Sequence, residues 1–184
     1  MRQLFALALI ALVGLTGPTL AADLSVAERS RLDLRLGELT DASLKNDAAL
    51  IAALLPPTVY QHFGDQNGTT AAEAKENLIN RIKSRQSSGQ IQWQIVLFET
   101  TVEGEPVRVM KDGRKYMYVP IKLHDAKGTA LHERTYAMFA VQENDGDWYF
   151  YPIPKMSNAN FLAGLFPGIE TGSIPEPTRE KLHD

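Results

Sequence analysis

The sequence predicts an α+β fold, with helices gathered first and an antiparallel sheet built after them. Three observations predict it. Two Ser/Thr-x-x-Glu boxes open amphipathic stretches in the first half. After Gly89 the apolar residues recur at every second position, and Gly- and Asp-rich turns separate the later runs. Helices ahead of strands argue against the alternating order of a parallel sheet. The 184 residues, 44% hydrophobic and 22% charged, suit one globular domain. A net charge of −3 provides no whole-chain field for nucleic acid, and the absence of cysteine excludes disulfides, thiolate metal sites and cysteine nucleophiles.

Residues 1–22 read as a secretory signal. Met1-Arg2-Gln3 is a basic start, Leu4 to Leu15 an apolar run, Gly17-Pro18 a breaker, and Ala21-Ala22 a small-residue cleavage site. The run of about a dozen apolar residues is well short of the ~20 that span a bilayer, so no membrane span is expected in the mature protein. Loss of Arg2 takes the 19 basic residues to 18 against 22 acidic, a net charge of −4. An exported, cysteine-free chain able to build its own core points to a bacterial periplasm.

Ser25-Val26-Ala27-Glu28 caps the first helix, whose Leu32, Leu36 and Leu39 fall on one face. Asn46-Asp47 interrupts it, and Asp47 caps a short helix carrying Leu50, Ile51, Leu54 and Leu55 as far as Pro56-Pro57. Thr58 to Phe63 reads as a β-leaning segment before the polar turn 64–68. Thr70-Ala71-Ala72-Glu73 opens a further helix with Leu78, Ile79 and Ile82 on one side. Ile91, Trp93, Ile95 and Leu97 then alternate with Gln92, Gln94 and Val96. Val107 to Met110, Lys115 to Leu123, Leu131 to Val141 and Trp148 to Ile153 complete a predicted meander. Residues 23–155 form the expected domain. Residues 156–184 are an extension in which Phe161, Leu162, Leu165 and Phe166 cluster, and 172–184 read as a mobile tail.

The order of these pieces resembles the nuclear-transport-factor-2-like superfamily, which includes ketosteroid isomerase and polyketide-cyclase-like proteins. The resemblance rests on Lys45-Asn46-Asp47 leading into the Ala/Leu-rich 48–55, on Val59-Tyr60 before a Gly-rich turn, and on Asp145-Gly146-Asp147-Trp148 entering the last strand. It implies a cystatin-like α+β roll, with helices in the concave face of a strongly curved sheet. It also implies an apolar pocket for a small hydrophobic ligand and a homodimer. It implies no single activity.

Candidate chemistry follows from the alternation. Glu99 continues the face of Ile95 and Leu97, and Glu133 sits among Leu131, Thr135, Ala137 and Phe139. A carboxylate on an apolar face would have a raised pKa and act as acid or base; at a strand end it would instead reach water or an arginine. Tyr60 and His62, two apart on an extended segment, would share a face. Catalytic candidates are therefore Glu133, Glu99 and His62, and the expected ligand-contacting set is Tyr60, His62, Trp93 and Glu133. Tyr116 and Tyr118 share one strand face, as do His132 and Tyr136. Both pairs suit a dimer interface, with the pocket as the alternative for the tyrosines. The four histidines lack metal-ligand spacing, and neither a phosphate loop nor a nucleophile elbow is present, so no metal or other cofactor is expected. The leading expectation is a small-molecule-binding or interaction protein. The alternative is a cofactor-free isomerase or dehydratase using a pocket carboxylate with Tyr or His.

Overall fold

The computed structural model describes residues 23–88, 94–127 and 129–183. The expected signal at 1–22, and Ile91 and Trp93, lie outside the described residues. The fold is α+β, with helices followed by a six-stranded antiparallel open sheet.

Both capping boxes form. Glu28 N–H donates to Ser25 Oγ at 3.3 Å and Ser25 N–H to Glu28 Oε2 at 2.8 Å, starting α1 (Val26–Lys45). Asn46, in the left-handed region at φ 53°, ends it, and Asp47 Oδ1 accepts from Ala49 and Leu50 N–H to start α2 (Ala48–Ala53). Thr70 and Glu73 form the second box at the head of α4 (Ala71–Ser87).

One predicted element changes type. Residues 58–63 are not extended; they belong to helix α3 (Pro57–Asn67). Pro57 occupies the first helical turn, where its missing N–H costs nothing, and Gly68 at φ 65° closes the helix. The β-branched and aromatic residues that suggested a strand serve here as the buried side of a helix, through Val59 and Tyr60.

The sheet is organised around a long hairpin, β3 (Lys115–Lys127) and β4 (Ala130–Gln142), closed by the Lys127–Ala130 pair. Two shorter strands lie end to end along each outer edge. β1 (Gln94–Thr100) and β2 (Arg108–Val109) pair with β3, and β5 (Trp148–Ile153) and β6 (Thr178–His183) pair with β4. Pro120 sits mid-strand without cost to the ladder. It falls between the last β1 pair, Thr100–Ile121, and the first β2 pair, Arg108–Tyr116, where no strand needs its N–H.

Alternation along β3 and β4 supplies two cores, one on each face. On the inner face Met117, Val119, Ile121, Leu123, Met138 and Ala140 meet Leu32, Leu36 and Leu39 of α1, with Phe98, Trp148 and Phe150. On the outer face Tyr116, Tyr118, Phe139 and Val141 meet helix α5 (Met156–Leu165) and the residues after it, through Ala159, Leu162, Phe166 and Ile174. The boundary expected at residue 155 therefore does not bound the core. The proline- and charge-rich tail, which suggested no element, contributes β6, paired with β4 from Thr135–Thr178 to Leu131–His183.

Candidate functional site

The outer face is covered at one end only. Its other end is a patch where β1, β3, β4 and β6 lie side by side. The register sets Leu97, His124, Glu133 and Glu180 in one row, and Glu99, Lys122, Thr135 and Thr178 in the next. Glu133 Oε2 lies 2.9 Å from His124 Nε2 and 3.0 Å from Lys122 Nζ. The hydroxyls of Thr135 and Thr178 bond to each other. A hollow of about 130 Å³ adjoins Lys122, between Pro120, Thr135 and the Pro175-Glu176 approach to β6.

Of the two environments expected for Glu133, these contacts are closer to the carboxylate that reaches a cation than to the one with a raised pKa. The hydrogen bond from His124, then that from Lys122, hold its carboxyl below the usual carboxylate range, so it is ionised at neutral pH, with both side chains on Oε2. Lys122 is correspondingly pushed up by Glu133, with a smaller contribution from Glu99. A carboxylate held this way is a poor proton donor and a weak base.

Glu99 is also placed differently from the alternation. A β-bulge between Ile95 and Leu97 inserts Val96, half-exposed, and shifts the parity of β1 by one. Phe98 therefore faces the inner core, and Glu99 faces solvent on the outer side.

The remaining candidates do not converge with these carboxylates. Tyr60 is buried inside the helical layer, where its hydroxyl donates to Ala52 O at 2.7 Å and burial pushes its pKa up. His62 is on the same helix but not on the same side, since two residues advance about 200° around it. It packs edge-on to Phe161 at 5.5 Å. Trp93 lies outside the described residues.

The expected dimer-interface set does not form one surface. Tyr116 and Tyr118 are buried under the chain's own carboxy-terminal segment. Tyr118 Oη donates to Glu170 O at 2.9 Å, and Glu170 N–H donates to Tyr116 Oη at 3.0 Å, so the pair fastens that segment down. His132 and Tyr136 lie on the opposite, inner face. Burial raises Tyr136 to about 12, and it packs against the inner core. Close to them Asp125 is buried in an ion pair with Arg134, and its Oδ1 has no hydrogen-bond partner among the described residues.

Compared with protein-family models, curated proteins and solved structures, the chain matches none. Among the described residues no three His, Asp or Glu side chains gather to hold a metal ion, and no helix is long and apolar enough to cross a membrane.

Sequence reasoning missed Lys122 and His124 as members of the patch. The signal was present in the hairpin register. With Lys127 opposite Ala130, counting back three places puts His124 opposite Glu133. Placing the turn over 125–128 instead hides the pair.

Proposed function

We propose that this chain is an exported, non-catalytic interaction protein of the nuclear-transport-factor-2-like class, and that it binds a basic partner through the open end of its outer sheet face. The single observation that carries this reading is the contrast between the two faces. Between α1 and the sheet, Leu32, Leu36, Phe98, Val119, Trp148 and Phe150 pack into one core, and the hollow of about 400 Å³ at its edge is lined largely by polar residues such as Arg29, Asp33, Thr40 and Glu103, which supports an interaction protein over an apolar-pocket binder. The outer patch, by contrast, is open and short of positive charge. Glu99, Glu133, Glu176 and Glu180 stand against Lys122 and a histidine, and Glu133 and Glu180 are direct cross-strand neighbours. Like charges facing each other cost stability unless something else is gained. A cationic partner surface would supply that gain by complementarity.

The class assignment is supported by the order of helices and meander and by α1 packing across one sheet face. The helical state of 58–63 departs from the β-leaning segment expected there. The isomerase-like alternative draws no support from the site, because Glu133 is held ionised and neither Tyr60 nor His62 reaches it. Export is supported by the leader pattern of 1–22 alone.

The test is a photo-crosslinking residue at position 99, with position 75 on α4 as control, in protein expressed in its own host. Crosslinks at 99 to a basic protein, lost in a Glu99→Lys/Glu180→Lys variant and weakened by salt, are the expected result. A small molecule retained by the native protein in mass spectrometry, with no crosslink at 99, would overturn the reading.

A further inference from the structure

A groove of about 510 Å³ separates α3 from α4, a volume within the usual range for small-ligand sites. It lies in the helical layer and shares no residue with the sheet patch. Phe63, Ala74 and Leu78 line it with apolar surface, while Asn67, Asn77 and Arg81 bring polar groups. The Phe63 ring is held from behind, stacked on Phe161 at 5.6 Å and 13°. Asn67 is fixed as well, since its Nδ2 donates to Phe63 O at 2.6 Å.

Arg81 is the informative residue. A helical side chain meets neighbours three and four places away. For Arg81 those places hold Leu78, Asn77, Ser84 and Arg85, and none is acidic. The acidic residues of α4 come earlier, and Glu73 is bonded to Thr70 at the cap. Among the described residues Arg81 has no ion-pair or hydrogen-bond partner. Its charge therefore stands at the mouth of a half-apolar groove with the Asn77 amide one turn away.

We infer that the α3–α4 groove is a binding site for a small monocarboxylate with an apolar body. The planar guanidinium of Arg81 receives the carboxylate oxygens, with Asn77 as a second donor, and the apolar body lies over Phe63 and Leu78. One cation matches a monoanion. A phosphate dianion would leave charge uncompensated over the Phe63–Leu78 surface, and an amine would face Arg81 unfavourably.

The test titrates isotope-labelled full-length mature protein with decanoate, decanol and decylamine below their aggregation limits, following backbone amide resonances. Decanoate is expected to bind saturably and to move the amides of Phe63, Asn77, Leu78 and Arg81. Decanol is expected to bind about tenfold more weakly, consistent with loss of a charge-assisted contact. Arg81→Gln should weaken decanoate about tenfold and leave decanol unchanged, whereas Arg85→Gln, on the same helix, should change neither. Equal affinity for all three probes, shifts centred away from the groove, no saturable shift, or an Arg81→Gln variant that binds decanoate normally would each overturn the inference.

Discussion

Glu28 shows how one side chain can serve two levels of structure. It completes the capping box at the head of α1 and, at 2.8 Å, ion-pairs with Lys115 at the start of β3, tying the first helix to the central hairpin. The Lys115 hydrogen bond, followed by those from Ser25, pulls its pKa from 4.5 to about 2. The folded value is depressed, so the stability it contributes is complete above pH 4.5 and is lost as pH falls towards about 2. Urea midpoints measured across that window should fall with pH in the native protein and fall less in Lys115→Met. Gly64 provides a second test. A Cβ there would lie 2.7 Å from Thr69 O, and backbone cannot move aside as a flexible side chain would. Gly64→Ala should cost about 1–3 kcal/mol by overpacking, read as a lower thermal midpoint. At the same scale, sequence leaves the choice between the two expected environments of Glu133 open. Glu133 sits among apolar residues along the chain, but its electrostatic neighbours, Lys122 and His124, come from the adjacent strand. A one-dimensional pattern carries no cross-strand partners until the turn is placed correctly.

At the scale of elements, what was legible was whatever is decided locally. The two capping boxes, the Asn46-Asp47 break and the meander strands form near their predicted positions, because caps and turns depend on residues within a few places of each other. Elements decided by tertiary packing were not legible. Residues 58–63 have β-leaning side chains yet are helical, with Val59 buried in the outer-face core and Tyr60 in the helical layer. The Val96 bulge changes which residue of β1 faces inward, and no propensity announces it. The carboxy-terminal segment is the largest such case: it becomes an element only because it has the outer face to pack on. That dependence is reciprocal. Removing residues 156–184 would uncover Tyr116, Tyr118, Phe139 and Val141 together, a contiguous apolar face of the kind that drives association. The truncated protein should bind an apolar-surface dye more strongly than the full chain and elute as larger species. The double variant Tyr116→Phe/Tyr118→Phe, which loses only the bonds to Glu170, should show a small part of the same effect.

The molecule is built so that the cores on the two faces of its sheet share their scaffold. Met117, Val119 and Ile121 go to the inner core, while Tyr116 and Tyr118 go to the outer, from one strand by simple alternation. In β4, Met138 and Ala140 face inward and Phe139 and Val141 outward in the same way. Neither core can open without releasing the strands that hold the other, so both should melt in one transition. The chain has two tryptophans, and Trp148 is fully buried in the inner core. In a Trp93→Phe background its fluorescence therefore reports that core alone. Phe166→Ala removes an outer-core ring that packs 5.0 Å from Phe139 and should cost about 3–5 kcal/mol. Leu36→Ala, on the other side of the sheet, should cost about 2–5 kcal/mol, because the space it fills is packed. If the cores are coupled through β3 and β4, Phe166→Ala must move the Trp148 transition as far as it moves far-ultraviolet dichroism, although it touches no inner-core residue of the cluster. A Trp148 midpoint left in place while dichroism loses a separate earlier phase would mean that the two faces unfold independently.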